Sequence, residues 1–272
     1  MSGLTLDLQV APYSSSERDL AAMHLMKSTH SDVMLYDRGC PEFWFFALHT
    51  KYQRNFCMRA QPSLGPQIEA FSRSSRNEQI MTFSASKKGK TKCRQLELKY
   101  NDIQLRLVKV ILPTGEIEIL ITSLLDQNQY PQNEFKALYH SRWGIEEDYK
   151  TQKLSLETES FSGLTVHSVM QDLHAKVFIK NVTMAAANLV QPSINKKYAN
   201  RKHAYKVNKN QAISKMRPFF VKLKNSVNPI RLFEKLFILL IDTIEPVRPN
   251  RSFPRRFNET NKKHHINIKG CR

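Results

Sequence analysis

Tyr139, Arg142, Glu146 and Lys153 stand in the run YHSRWGIEEDYKTQK at offsets of 0, 3, 7 and 14. On one continuous α-helix, at roughly 100° per residue, this spacing predicts a single stripe about 60° wide. A carboxylate, two cations and a phenol would then line one flank of a rod about 21 Å long. Such a set can hold a metal ion at one point and grip nucleic-acid phosphates above and below it. A solvated face with i,i+3 and i,i+4 charge pairs is the ordinary explanation of a mixed-charge helix. The rest of the chain has to decide between the two.

The elements that must position these residues are legible in the hydrophobic pattern. Leu4, Leu6, Leu8 and Val10 alternate, which predicts a strand over 4–10 with one buried face. Ser14 and Glu17 read as a capping box that opens a helix running to about Lys27. DVMLYD at 32–37 is a short apolar strand ending in Asp37, with Arg38-Gly39 as the turn. Pro41 suits the first turn of a helix, PEFWFFALHTK, and NFCMRA at 55–60 returns as a strand. This alternation predicts α/β architecture with parallel pairing.

Residues 61–94 are rich in Ser, Gln, Lys and Arg and read as loop and edge structure, with SKKGKTK at 86–92 as a basic loop. Residues 95–125 hold alternating apolar runs around Pro113-Thr114-Gly115, the pattern of a β-meander. The signature helix is expected over about 133–153, with Phe135, Leu138, Ile145 and Tyr149 as its apolar face. A second helix over about 168–190 would bury Val169, Leu173, Val177, Met184 and Leu189. A basic region at 195–224, a helix at 229–244 and an irregular tail from Pro246 complete the chain.

Of 272 residues, 41% are hydrophobic and 10% aromatic, which indicates a folded protein with a core rather than a disordered tail. No uncharged run approaches the ~20 residues that span a bilayer, and no basic-then-apolar leader opens the chain, so a cytoplasmic protein is expected. Cys40, Cys57, Cys93 and Cys271 are scattered without a CxxC pair and read as reduced thiols. His264-His265 reads as part of a solvated polar tail. Net charge is +18, and its distribution is the informative part. Residues 195–272 hold 20 Lys/Arg against 4 Asp/Glu, a balance of +16, whereas 1–194 hold 22 against 20. Such a block attracts a polyanion through counterion release. It shows little of the amphipathic order of a membrane-surface helix.

The spacing Y-x2-R-x3-E-x6-K resembles the YREK signature of DDE transposases of the insertion-sequence-four family. SSER at 15–18, DRG at 37–39, HAYKVNKNQAISK at 203–215 and PVRPNRSFPR at 246–255 are similar to that family as well, so the likeness covers nearly the whole chain. The resemblance implies a ribonuclease-H-like mixed sheet in an α/β fold. It implies a partial core over 1–60, a β-rich insertion over 61–128, core helices over 129–194 and a helical basic C-terminal segment over 195–272 that binds DNA or mediates oligomerisation. Asp37 and Glu146 would be catalytic carboxylates and ligands of Mg²⁺, in a site whose two ions lie about 4 Å apart. Tyr139, Arg142 and Lys153 would contact DNA, and the partners would be double-stranded transposon ends and target DNA, with a homodimer as a further option.

The family's first catalytic aspartate has no counterpart by this reading. Asp7 falls inside the first alternating strand, and Asp19 and Asp32 belong to a helix and its exit loop. The sheet is therefore expected to lack its first strand and the chain to be a truncated, weakly active or inactive transposase. A non-catalytic DNA-binding competitor for ends or for a full-length partner is the alternative. An RNA-binding protein is disfavoured, because no RRM-type aromatic run or KH-type GxxG is present.

Overall fold

A computed structural model describes residues 2–12, 14–112, 114–158, 160–248 and 267–268. The chain divides into two units, Asp7–Trp143 and a second made of Met1–Leu6 with Gly144–Arg272. The division falls inside the expected signature helix.

The first unit is a mixed sheet covered by helices on both faces. Its strands are β1 (Val33–Tyr36), β2 (Asn55–Ala60), β3 (Glu78–Phe83), β4 (Ile103–Ile111) and β5 (Ile117–Thr122), in the spatial order β1-β2-β5-β4-β3. β1 and β2 pair in parallel, Val33 opposite Asn55 and Tyr36 opposite Met58, while the other neighbours are antiparallel. The parallel pair is joined through α2 (Phe43–Tyr52), as the strand–helix–strand pattern predicts. α1 (Glu17–Leu25), α3 (Pro66–Arg73) and α4 (Lys87–Gln95) are the other α-helices before β4 among the described residues.

Alternation along each strand sorts the core into two layers. Phe56 and Met58 of β2, Leu105 and Leu107 of β4, and Ile119 and Ile121 of β5 join Trp44, Phe45, Phe46, Ile68 and Phe71 in one cluster. Cys57, Val108, Val110 and Leu120 face the other way and meet Phe135 and Tyr139 of α5 (Phe135–His140). A strand buried on both faces reads as a nearly continuous apolar run, which explains the stretch LRLVKV of β4. The guanidinium of Arg106 interrupts that run while fully buried. It is held by Glu78, by the Tyr130 carbonyl at 2.7 Å and by the Phe135 ring at 5.0 Å.

Within the segment 61–128, three strands, β3, β4 and β5, continue the same sheet as β1 and β2. SKKGKTK is not a loop. Ser86 accepts a hydrogen bond from the Gly89 amide, capping α4, whose Cys93 is buried. Residues 4–10 form no strand: Leu6 is 93% exposed, and no ladder partner lies alongside among the described residues.

The second unit is helical. α6 (Trp143–Lys150, its first residue in the sheet unit) runs into a π-helical turn at Thr151–Ser155, followed by the short strand β6 (Ser160–Phe161). α7 (Val166–Lys197) is then longer than its sequence pattern suggests, and the Thr165 side chain caps it by accepting from the Ser168 amide. β7 (Tyr205–Val207), α8 (Lys209–Lys224), α9 (Pro229–Asp242) and β8 (Ile244–Pro246) follow, with β7 and β8 antiparallel. β9 (Asn267–Ile268) pairs with β6. Asn208 and Asn228 cap α8 and α9 by accepting from the Gln211 and Arg231 amides. Ala186, Ala187, Val190 and Ile194 of α7 pack with Met216, Phe219, Leu236 and Leu240. Met184 is buried as expected, but Leu189 is 71% exposed, because the packed face passes through Ala186, Ala187 and Val190 instead. Most of the tail from Pro246, with His264, His265 and Cys271, lies outside the described residues.

Candidate catalytic and DNA-binding site

The single rod expected for the signature is broken. Tyr139 lies on α5, Arg142 in a turn, Glu146 on α6 and Lys153 in the π-helical turn. The first break has a local cause. The Ser141 hydroxyl donates to the Leu138 carbonyl at 2.6 Å, competing with the helical ladder, and the Arg142 amide bonds the Tyr139 carbonyl in a tighter i→i+3 turn. Gly144, a poor helix former, follows at once. The second is a π bulge closed by the Leu156 amide on the Thr151 carbonyl at 3.3 Å. A stripe drawn at a constant angle per residue does not survive either break. The expected apolar face is split too: Phe135 is buried, but Ile145 and Tyr149 are 49% and 54% exposed.

In the sheet unit, Asp37, Tyr139 and Arg142 form one neighbourhood. Asp37 directly follows β1, an edge strand, and its exposed carboxylate accepts the Arg38 amide at 2.6 Å. Carboxylates at the C-terminal ends of parallel strands open onto the crevice where α/β sheets bind ligands. Tyr139 is only 5% exposed, and its hydroxyl donates to the Tyr36 carbonyl at 3.2 Å. Burial raises the Tyr139 phenol well above its usual range, the Arg142 charge opposes that rise, and the Asp37 carboxylate adds to it. The Arg142 guanidinium lies 5.7 Å from the Tyr139 ring and 5.9 Å from the Trp143 ring. Cys40, whose amide bonds the Asp37 carbonyl at 3.1 Å, has its thiol pushed up to about 11, chiefly by burial.

In the helical unit, α6 presents three consecutive acids with different surroundings. Glu147 is exposed and pairs with Lys150 at 2.7 Å. Asp148 takes the fully buried Lys180 ammonium at 2.6 and 2.7 Å and the Gln152 amide at 2.7 Å. Glu146 is half-buried, and Lys153 is exposed.

The N-terminal residues belong to this unit. The Asn181 side chain accepts from the Thr5 amide at 2.9 Å and donates to the Thr5 carbonyl at 2.8 Å, imitating a strand partner. Asn188 donates to the Ser2 carbonyl at 2.9 Å, and Lys180 also reaches the Thr5 hydroxyl. Sequence reading missed these residues. Lys176, Lys180, Thr183 and Ala187 share the buried side of α7, so two lysines at core spacing were the available signal.

Asp7 and Asp32 are engaged elsewhere. Asp7 bonds His24 at 2.8 Å and Gln9 at 3.0 Å, and these bonds, Gln9 foremost, hold its carboxyl below the usual range. Asp32 accepts the amide and hydroxyl of Thr29 at 2.7 and 2.9 Å. Among the described residues, no three His, Cys, Asp or Glu side chains gather to hold a metal ion.

The first unit is thus an α/β domain, a mixed sheet clad by helices with a carboxylate at the end of its parallel edge strand. The chain belongs to the transposase DDE domain family, whose model it matches over residues 1–181. No curated protein matches it. Its function is accordingly that of a transposase, with DNA as the substrate class and a divalent metal ion as the family's usual cofactor. Among the described residues no helix is long and apolar enough to cross a membrane.

Proposed function

We propose that this transposase is of the insertion-sequence-four type, with a ribonuclease-H-like sheet, and that it acts on the ends of an insertion sequence and on target DNA. Asp37 and Glu146 are the carboxylates assigned to the reacting phosphodiester, and Arg142 and Lys153 to the phosphates on either side. Tyr139 anchors the end of β1, which carries Asp37. The observation that carries this reading is the exposed Asp37 carboxylate at the end of the parallel edge strand, neighboured by Tyr139 of the signature.

Hard carboxylate oxygens suit Mg²⁺, which when bound would supply an activated water and stabilise the leaving oxygen. The chain's own residues fit that ion only in part. Asp7 and Asp32 are committed to other partners, and Asp19 stands exposed on α1. Two carboxylates hold two ions poorly, so the chain by itself is proposed to cleave weakly or not at all. The same observation favours a second reading, a DNA-binding competitor without chemistry.

The test uses the full chain and duplexes covering the DNA that flanks its reading frame. The expected outcome is salt-sensitive binding without measurable cleavage in Mg²⁺. Cleavage abolished by Glu146→Gln would overturn the proposed inactivity and support the catalytic assignment. Mn²⁺-induced NMR line broadening gives a readout independent of activity. It should weaken in Asp37→Asn and in Glu146→Gln, and unchanged broadening in both would remove them as ligands.

A further inference from the structure

A second group of lysines gathers beside the signature's π-helical turn. Ser155, the last residue of that turn, donates to Asn210 Oδ1 at 2.5 Å in the first turn of α8. This bond fastens the turn carrying Lys153 to the corner carrying Lys206 on β7 and Lys209 on α8. Lys150, Lys153 and Lys206 are exposed, and Lys209 is half-buried. Lys150 and Lys206 pair with the surface acids Glu147 at 2.7 Å and Glu245 at 3.3 Å. Surface pairs of this kind contribute little and give way to a stronger anion.

Resting on the transposase reading above, we propose that Lys206 and Lys209 extend the signature's phosphate-binding surface, so that one duplex DNA backbone is gripped by Lys150, Lys153, Lys206 and Lys209 together. The family signature accounts for Lys153 alone of these four. The basic segment carries 20 Lys/Arg, and this corner is where the Ser155–Asn210 bond ties it to the signature turn. The segment then acts through a defined face, not as a diffuse cationic cloud.

The test is the salt dependence of binding of the full chain to a mixed-sequence duplex oligonucleotide, followed by fluorescence anisotropy. Removing one lysine that touches a phosphate should make the log–log salt slope shallower by about one. The double variant Lys206→Gln/Lys209→Gln should therefore lose about two from the slope and bind about tenfold to a hundredfold more weakly near 0.1 M salt. Lys206→Arg/Lys209→Arg should restore both quantities. Lys222→Gln/Lys224→Gln removes the same charge about 20 Å further along α8 and should change the slope less. Equal losses from both Gln pairs, or no loss from Lys206→Gln/Lys209→Gln, would overturn the proposal while leaving DNA binding intact. A wild-type chain that binds no DNA would instead defeat the transposase reading on which the proposal rests.

Discussion

The Tyr139 hydroxyl donates to the main-chain carbonyl of Tyr36 at 3.2 Å, one residue before Asp37. A signature tyrosine thus anchors the strand end that presents a candidate catalytic carboxylate. Burial raises the phenols of both Tyr139 and Tyr36 well above their usual range, so Tyr139 remains a neutral donor throughout the working pH range. Tyr139→Phe removes the hydroxyl alone. It should destabilise the protein by about 1 kcal/mol, read as a lower urea midpoint, because the buried carbonyl is left without its donor. The salt slope for DNA should not change. A shallower slope with unchanged stability would make Tyr139 a phosphate contact instead.

Lys180 and Asp148 form a buried ion pair between α7 and α6, supported by Thr5 and Gln152. Removing one partner of a buried pair leaves an uncompensated charge. Lys180→Met should cost about 3–5 kcal/mol by denaturant unfolding. The double variant Lys180→Met/Asp148→Leu should recover much of that loss. If the double variant is as unstable as the sum of the single variants, the pair does not act as a unit.

Asn181 replaces a neighbouring strand for Thr5 by satisfying both its amide and its carbonyl. Asn181→Leu should cost about 1–3 kcal/mol and expose the Thr5 amide to rapid hydrogen exchange. Asn181→Asp keeps the acceptor and loses the donor, so it should fall between the two. Unaltered exchange at Thr5 in the Leu variant would show that Asn181 does not hold the segment.

His49 is 1% exposed among Phe45, Phe56 and Tyr36, and its Nδ1 faces the Arg54 carbonyl at 3.1 Å. Burial pushes its pKa down to about 4 from 6.5, with the Arg54 carbonyl opposing the shift. Between those values the unfolded chain binds a proton that the folded chain refuses. Stability should therefore fall as pH drops from about 6.5 towards 4, by up to about 3 kcal/mol, and the loss should level off below that. His49→Phe should flatten this part of the pH–stability profile. A profile unchanged by His49→Phe would place the acid sensitivity elsewhere.

Much of the sheet unit was legible in the sequence. Asp37 was read at the end of an apolar strand, and the strand–helix–strand run from 32 to 60 forms as its period predicts. Thr114 and Gly115 stand between two paired strands, as their turn chemistry suggests. These features follow from alternation and turn chemistry within a few residues, which a sequence displays directly. The helix over Lys87–Gln95 was not visible, because its helical character rests on the Ser86 cap and one buried side, with no apolar run.

By itself the sequence determined the residue types of the signature, their spacing, the concentration of positive charge after 195 and the local elements around Asp37. The tertiary structure decided which signature residues stand together. Asp37, Tyr139 and Arg142 meet in one unit because α5 packs across the sheet and seats a phenol on the end of β1, whereas the helix itself stops at Ser141. It also decided that Asp148 serves a buried lysine 32 positions away. Spacing along a chain fixes angles only while the helix continues, and the partner of a buried charge is chosen by which distant element packs against it.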